Sequence, residues 1–355
     1  MGTTQLADLR GPPDETGRAA RMKAVVQDCY GAAPEDVLRI AQVEKPAVGD
    51  GEVLVRVHAA SVDRGTWHIM SGLPYPIRLA GFGLRSPKSA NPGRNLAGTV
   101  EAAGSGVTGF APGDEVFGMA AGTFAQYAVA RTGKLAAKPP SLSFEQAAAV
   151  PVSGVTALQA VRDHGRVQAG EKVLVVGASG GVGSFALQIA KASGAQVTAV
   201  CSARKVDMVR ALGADHVIDY TRGDFAEGGR RYDVILDIGG NARLSRLRRA
   251  LSARGRLIIV GGETDGRLLG GSDRQIRAKL LSLFVRQRLG TFVAKENAAD
   301  LIALGELADD GKLTPAIDRT YQLTEVAAAI RHLLDGTARG KLVVSVHTPA
   351  TGGTP

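Results

Sequence analysis

A glycine-rich turn between a buried strand and a helix limits the fold of this chain more than any other feature. The stretch reads VLVVGASGGVGSFALQIAK and covers residues 173–191. Its first half predicts a strand, and the later apolar residues recur at helical spacing. Gly180 and Gly181 let the backbone approach a pyrophosphate closely, and Gly183 lets the helix pack on the strand. Ala178 departs from the first glycine of the usual G-x-G-x-x-G pattern. The turn predicts a βαβ unit that holds a dinucleotide at a helix N-terminus.

Strands and helices alternate around this turn. The strand segments are KVLVVGA, QVTAVCS, HVIDY, YDVILDIGG and RLIIVGG, and the helical ones are SFALQIAKASG, KVDMVRALGA, ARLSRLRRALSARG and DRQIRAKLLSLFVRQRLG. Continuous apolar strands that alternate with helices predict an α/β fold with a parallel sheet covered on both faces.

The region before this alternation, residues 22–150, is β-rich. Short runs of Val, Ala and aromatic residues are separated by Gly, Pro and Asp, which predicts a compact, barrel-like unit. Residues 71–92 contain four prolines and predict a long surface loop. Ser143 is the expected N-cap of a following helix. With 355 residues in all, we expect two domains.

Residues after the second strand of the alternation bear on cofactor choice. A fold that selects NAD places Asp or Glu there, against the ribose 2′-hydroxyl. This chain has Ser202, Arg204 and Lys205 instead, with Tyr220 at the end of the following strand. A hydroxyl and two cations bind a 2′-phosphate through charge-assisted hydrogen bonds, so we expect NADP(H). The alternative is that Arg204 and Lys205 are ordinary charged residues at a helix start.

Composition excludes several classes of protein. Two cysteines, Cys29 and Cys201, exclude a zinc site built on cysteines and make a disulfide framework unlikely, so we expect a cytoplasmic protein. No apolar stretch reaches the roughly 20 residues that span a bilayer, and we expect no membrane partner. Polar residues before Met22 and after His347 predict loose tails.

The net charge of +9 is concentrated in one arginine-rich run. It contains Arg243, Arg246, Arg248, Arg249, Arg254 and Arg256. Leucines recur there at helical spacing, so we interpret the arginines as the solvated face of an amphipathic helix. Aromatic residues do not interleave with them, which argues against a nucleic-acid partner.

Six sequence stretches carry a family resemblance. They are GDGEVLVRVHAASVD, NLAGTVEAAGSGVTGFAPGDEVFG, LSFEQAAAVPVSGVTAL, GASGGVG, LGADHVIDY and ARGKLVVSV. In their order and spacing, residues 22–347 resemble the medium-chain dehydrogenase/reductase superfamily, within it the zinc-free quinone oxidoreductase (zeta-crystallin-like) group.

The resemblance implies a Rossmann doubly wound parallel sheet plus a GroES-like β-barrel catalytic domain. We expect a flexible tail (1–21), the first part of the catalytic domain (22–146), the Rossmann domain (147–294), a C-terminal segment that completes the catalytic domain (295–347) and a second tail (348–355). The active site would lie between the two domains, and a homodimer is the habit of the family.

The resemblance also implies a reaction, hydride transfer from NADPH to a small-molecule quinone or to the β-carbon of an α,β-unsaturated carbonyl. The cofactor contacts fall by position on Thr156, Ser179, Gly180, Gly181, Val182, Ser202, Arg204, Lys205, Tyr220, Gly262, Ala338, Arg339 and Lys341.

Zinc-dependent relatives have Cys, His and Cys ligands at places that look like Asp63, Arg94 and Val152 here, with Asn95 where they carry Glu. Arg and Val cannot bind zinc, so we expect no metal. Zinc-free relatives usually carry Asn at the first place and Asp at the last, so the acid and the amide look exchanged. We hypothesise a polar cluster of Asp63, Arg94 and Asn95 that shapes substrate preference. The alternative is that the exchange keeps one structural hydrogen bond with its partners reversed.

Further catalytic candidates lie close by. Arg94, Asn95 and His68 could each donate a hydrogen bond to the oxygen of an enone as negative charge develops there. Trp67 could form a wall for a flat acceptor. His68 could equally be a surface or packed residue, and Trp67 a core aromatic.

The function remains open between three possibilities at this point. An NADPH-dependent quinone or enone reductase leads. The others are a zinc-independent ketone or alcohol dehydrogenase and a cofactor-binding protein without enzymatic activity.

Overall fold

The computed structural model describes residues 20–240, 242–261 and 271–346. Gly262 and the predicted C-terminal tail (348–355) lie outside the described residues. The predicted N-terminal tail (1–21) also lies outside them, apart from residues 20 and 21. Within the described ranges no helix combines the length and the apolar character needed to cross a membrane.

The first half is mostly β-structure, as its residue pattern predicts. Its strands are β1 (Arg21–Val26), β2 (Arg39–Glu44), β3 (Glu52–Val62), β4 (Asn95–Ala103), β5 (Glu115–Met119), β6 (Tyr127–Arg131) and β7 (Leu135–Ala137). Its helices are α1 (Pro34–Val37), α2 (Arg64–Ser71) and α3 (Phe144–Ala149). Ser143 caps α3, and Ser143 and Gln146 form a reciprocal capping box, which confirms the predicted helix start. The predicted long loop contains a π-helical turn, Arg78–Phe82.

The second half forms a six-stranded parallel sheet. Its strands are β8 (Lys172–Val176), β9 (Gln196–Cys201), β10 (His216–Asp219), β11 (Tyr232–Asp237), β12 (Leu251–Ile259) and β13 (Arg288–Thr291). Its helices are α4 (Pro151–Gln159), α5 (Gly181–Ala192), α6 (Val206–Ala211), α7 (Leu244–Ala250) and α8 (Ser272–Ser282). The strand order β10-β9-β8-β11-β12-β13 is that of a doubly wound sheet. This confirms the predicted Rossmann fold and puts the topological switch between β8 and β11.

Two predicted helices are shorter than their apolar spacing indicates. α7 ends at Ala250, and the residues after it, including Arg254 and Arg256, belong to β12. The arginine-rich run is therefore not one helical face. Similarly, α8 ends at Ser282, and the last part of that segment is the edge strand β13. Strand pairing decides both cases: Leu251 and Arg256–Ile259 pair with β11, and Arg288–Thr291 pair with β12, which satisfies their backbone groups.

The chain then returns to the first sheet. Helix α9 (Ala298–Asp309), strand β14 (Ile317–Gln322), helix α10 (Val326–Leu334) and strand β15 (Lys341–Ser345) follow in order. β15 pairs antiparallel with β3, and β14 pairs with β15. A seven-stranded sheet of β14-β15-β3-β4-β5-β7, with β6 on β3, results. One core cluster contains both Phe117 of β5 and Phe185 of α5, so the two halves share a core.

Candidate active site

The glycine-rich turn connects β8 to α5 at the topological switch. Gly177 has φ +82°, and a Cβ there would lie 2.7 Å from the backbone nitrogen of Gly239 after β11. A Cβ on Gly183 would lie 2.1 Å from the carbonyl oxygen of Gly177. Gly183 thus has the packing role that the sequence predicts, since only a glycine lets α5 approach the end of β8 so closely.

A cleft of about 460 Å³ opens in front of this turn. One wall comes from the parallel sheet and its helices, with Gly180, Gly181, Val182 and Thr156 among its residues. The other wall comes from β3, α2 and the C-terminal return. Eight of the predicted site residues line the cleft: Asp63, Thr156, Gly180, Gly181, Val182, Lys205, Ala338 and Lys341. Of the other predicted cofactor residues, buried Ser179 accepts a hydrogen bond at its carbonyl from the Gly340 N–H (2.9 Å).

A dinucleotide fits the turn in two respects. Gly180 is the N-cap of α5 and brings no side chain to satisfy the first N–H groups of the helix. A Cβ on Gly180 would contact only the Gly177 oxygen, at 3.5 Å, so the space beside it is open to the cleft. An uncapped helix N-terminus facing open space suits a pyrophosphate.

Cationic side chains gather after β9. Ser202 is half-buried and Arg204 and Arg339 are exposed, while the Lys205 Nζ donates to the carbonyls of Gly336 (3.1 Å) and Ala338 (2.6 Å). Burial lowers the pKa of Lys205, and the charges of Arg204 and Arg339 lower it further, against an opposing effect of Asp318. Tyr220 stands at the end of β10 and is 59% exposed. Three cations therefore stand close enough to affect one another at one end of the cleft.

Asp63 and Asn95 form a closed hydrogen-bonded pair beneath the opposite wall. The Asn95 amide nitrogen donates to the Asp63 carboxylate (2.7 Å) and to the Ser61 carbonyl (3.3 Å), and its oxygen accepts from the Val152 N–H (2.8 Å). Asp63 also caps α2 by accepting from the Thr66 N–H (3.0 Å). The amide of Asn95 is fully used within the protein. This arrangement is the structural hydrogen bond that the sequence analysis gave as its alternative.

Arg94 lies outside this pair, which corrects the predicted cluster of three. Its guanidinium forms an ion pair with Glu296, which also accepts from the Lys134 Nζ (2.6 Å). Burial alone would raise the pKa of Glu296, but the hydrogen bond from Lys134 and the charge and hydrogen bond of Arg94 together lower it. The two partners, Arg94 and Glu296, are more than 200 residues apart along the chain.

His68 and Trp67 do not line the cleft within the described part of the chain. The His68 Nδ1 lies 2.6 Å from the Leu73 carbonyl, a geometry in which the ring nitrogen carries the proton. Burial lowers the pKa of His68, so the ring is neutral at pH 7. Trp67 packs against the cluster under α10, with the Arg64 guanidinium 5.0 Å from its ring centre. Both arrangements correspond to the packed alternatives.

Ser153 is a residue of the cleft that sequence reasoning missed. The Lys341 Nζ donates to its hydroxyl (3.1 Å) and to the Val62 carbonyl (3.1 Å). Lys341 is 1% exposed, and burial lowers its pKa, while Asp63 acts in the opposite direction. Ser153 precedes Thr156 by three residues on α4, and this helical spacing was the signal that could have placed both on one face.

The residues at the three zinc-ligand places of zinc-dependent relatives, and Asn95 at the place of the neighbouring Glu, all bond within the protein. Asp63 bonds with Asn95, the Val152 N–H donates to Asn95, and Arg94 pairs with Glu296. Among the described residues no group of three or more His, Cys, Asp or Glu side chains could hold a metal ion.

Comparison with known proteins now identifies the family. The alcohol dehydrogenase GroES-like domain matches residues 49–140, and the zinc-binding dehydrogenase domain matches residues 212–344. The mitochondrial NAD(P)H oxidoreductase RTN4IP1 of Mus musculus is 36% identical and aligns over 95% of this chain and 92% of its own length. The chloroplastic quinone-oxidoreductase QR1 of Triphysaria versicolor is 31% identical over 91% and 98%.

A solved structure agrees with these sequence relatives. The quinone oxidoreductase from Coxiella burnetii superposes with a TM-score of 0.81 at 30% identity, over 92% of this chain and 100% of that one. The fold and cleft thus define a medium-chain dehydrogenase/reductase. The chain belongs to this superfamily, in its quinone oxidoreductase-like group.

Proposed function

We propose that this protein is an NADPH-dependent oxidoreductase that transfers hydride to a quinone or to an α,β-unsaturated carbonyl without zinc. The observation that carries the proposal is the cleft itself. It joins an uncapped helix N-terminus and a glycine turn on one wall to a buried lysine on the other. Relatives named as NAD(P)H and quinone oxidoreductases support the assignment.

The preference for NADPH rests on the cations after β9. Arg204 and Lys205 follow β9, after which a Rossmann fold carries the residues that contact the ribose 2′-position, and the charge of Arg339 acts on Lys205 as well. A phosphate there would gain charge-assisted hydrogen bonds from them. The third N–H of Lys205 is available for it, since the Nζ donates two hydrogen bonds to the Gly336 and Ala338 carbonyls.

Zinc independence rests on the residues at the corresponding places. Arg94 and Val152 offer no metal ligand, and the hydrogen bond between Asp63 and Asn95 already occupies the one carboxylate. The substrate oxygen must then be stabilised by protein hydrogen-bond donors rather than by a Lewis acid.

Lys341 and Ser153 are the donors of the cleft that we assign to the substrate. A nicotinamide cofactor held at the glycine turn would supply the hydride, and the protein would then have to stabilise negative charge on the acceptor oxygen. The Lys341 ammonium has three N–H groups and uses two of them within the protein. We assign the third to the cofactor ribose or the acceptor oxygen, with Ser153 keeping the ammonium in position.

The test is the oxidation of NADPH with a panel of quinones, enones and isolated ketones, before and after dialysis against a chelator. We expect turnover with a quinone or enone and no loss on chelation. Turnover confined to ketones would favour the dehydrogenase alternative. Cofactor binding without turnover of any acceptor would favour a non-enzymatic role.

Lys341→Met tests the assignment of the donor. Methionine fills a similar volume without the charge, so we expect the fold to persist and kcat to fall by about ten- to hundredfold. Lys138→Met is the matched control, because Lys138 is 8% exposed and its Nζ also donates to two carbonyls, at Pro139 and Leu142. Equal kcat for both variants would contradict the role of Lys341.

We also propose that the protein is a homodimer, as is usual in the family. Edge strand β13 leaves one side without a paired strand among the described residues. Beside it, α8 and the turn after it expose Ile276, Leu280, Leu283 and Phe284. The cytoplasmic location stays a prediction, because the relatives named above are mitochondrial and chloroplastic proteins.

A further inference from the structure

Four arginines surround a cavity at the amino ends of β12 and β13. Arg254, Arg256, Arg286 and Arg288 line a space of about 630 Å³, and all of its lining residues in the described part of the chain are arginines. Arg256 and Arg288 are direct partners in the parallel register of the two strands. Arg254 lies two residues before Arg256, in the irregular start of β12, and lines the same cavity. We call these four residues the arginine pocket.

Only one of the four charges of the arginine pocket is balanced by an acidic side chain in the described residues. Arg256 pairs with Glu171. Arg254, Arg286 and Arg288 are exposed, and none has an acidic partner among the residues that the structure describes. Like charges opposite each other on neighbouring strands are unfavourable. An anion with several charges would relieve this repulsion.

The arginine pocket is separate from the cleft. β12 runs from the pocket to the cleft, where Val260 and Gly261 follow its carboxyl end. The strand between Arg254 or Arg256 and Val260 measures roughly 13–20 Å at about 3.3 Å per residue. Leu257 and Leu289 point to the opposite face, in the core cluster that α8 joins through Leu281. The pocket is therefore away from the cofactor cleft and on the sheet face opposite α8, while Arg286 and Arg288 border the free edge of β13.

We propose that the arginine pocket binds a compact anion with two or more adjacent phosphate groups. Planar guanidinium groups bind phosphate oxygens in pairs, and several guanidiniums in one concavity match several phosphates. A single-stranded nucleic acid fits less well, because such sites combine cations with aromatic side chains on which bases stack. The lining of this pocket offers only guanidinium groups.

The experiment titrates inorganic tripolyphosphate into the full-length protein by calorimetry. In Arg254→Gln/Arg286→Gln both changed residues are exposed, so the fold is expected to persist. Affinity should fall by about tenfold or more. The matched control is Arg243→Gln/Arg249→Gln, which removes two exposed charges from α7 and its N-cap and should change affinity less than about twofold. A third variant, Lys205→Glu, reports binding in the cofactor cleft.

Three outcomes of the calorimetry would overturn the proposal. These are no binding to the unchanged protein, an equal loss in the two double variants, or a loss confined to Lys205→Glu. Sedimentation with vesicles, with and without phosphatidylinositol bisphosphate, distinguishes the two sources of such an anion. Pocket-dependent sedimentation with the vesicles that contain this lipid indicates a lipid headgroup. Binding of tripolyphosphate without such sedimentation indicates a free anion. Both support the proposed chemistry. A pocket-dependent affinity for a short oligonucleotide above that for tripolyphosphate would contradict a compact ligand.

Discussion

Lys205 is the residue on which the cofactor preference depends most directly. We expect Lys205→Glu to raise the KM for NADPH by about tenfold or more, because a carboxylate would repel the 2′-phosphate. The KM for NADH should change by less than about threefold, since NADH has no phosphate there. Steady-state kinetics with both cofactors measure this ratio.

Two further variants separate charge from structure in this experiment. Lys205→Met removes the bonds to the loop without adding repulsion, and Arg210→Glu reverses an exposed charge on α6. Equal effects of Lys205→Glu on both cofactors would remove the argument for NADPH.

We expect Arg94 to affect stability rather than the reaction. Its pair with Glu296 is about a quarter exposed on both sides, so we expect Arg94→Ala to lower the free energy of unfolding by about 1–2 kcal/mol. The values of kcat and KM should stay within about twofold, because Arg94 does not line the cleft in the described residues. Chemical denaturation and kinetics on the same preparation test this, and a large fall in kcat with unchanged stability would restore the catalytic hypothesis.

The same ion pair predicts a pH dependence. The folded protein lowers the pKa of Glu296, so its contribution is fully present above its unfolded pKa of about 4.3 and is lost as pH falls through the lower folded value. The difference in Tm between the unchanged protein and Glu296→Gln should therefore shrink below about pH 4. A Tm difference that stays constant from about pH 3 to about pH 7 would contradict this account.

The roles of the residues in the glycine turn were predictable from the sequence. The partners of the polar residues on the opposite side of the cleft were harder to predict. Gly180 and Gly183 serve the backbone of one βαβ unit, so local sequence contains all the information needed to place them. The partner of Arg94 is Glu296, and no local pattern indicates that two such distant residues meet. The pair of Asp63 and Asn95 was predicted only as one of two alternatives, since sequence does not tell which exchanged groups face each other.

At the scale of elements, the turn between β8 and α5 offers a matched pair of substitutions. Gly183→Ala puts a Cβ 2.1 Å from the Gly177 oxygen and should destabilise the protein by about 1–3 kcal/mol or more. Gly180→Ala has room for its Cβ and should keep the Tm within a few degrees, but it should weaken NADPH binding because the methyl group points to the open space. Thermal unfolding and cofactor titration of both variants measure the two effects. A stable Gly183→Ala protein would contradict the packing role.

The sequence predicted the central strands of the parallel sheet better than its edge strand β13. Long apolar runs such as β8 and β11 are buried on both faces, and sequence alone identifies them. β13 has four residues and follows a segment with helical spacing, so only pairing with β12 defines it as a strand. The same holds for the start of β12, where the leucine spacing of α7 continues into residues that pair with β11.

At the scale of the whole molecule, the exposed face of α8 predicts association. Phe284 is 83% exposed and Leu283 is 77% exposed, beside the edge of β13. We expect Leu283→Glu/Phe284→Glu to shift the sedimentation coefficient from dimer to monomer, because a buried carboxylate in an apolar interface is costly. Ile302→Glu on α9 is the control, at an apolar residue that is 53% exposed elsewhere. A monomer before any substitution would contradict the proposed dimer.

The loop between α10 and β15 has a consequence for how the protein is made. Gly336 and Ala338 hold Lys205 through their carbonyls, Gly340 contacts the glycine turn, and Lys341 enters the cleft from β15. All of these belong to the last stretch of the chain that the structure describes. A nascent chain still short of residue 336 can have its parallel sheet and its turn, but its cleft lacks Lys341 and the loop carbonyls that hold Lys205. We therefore expect the cleft to be complete only after the chain has been synthesised through β15, the last strand of the first sheet.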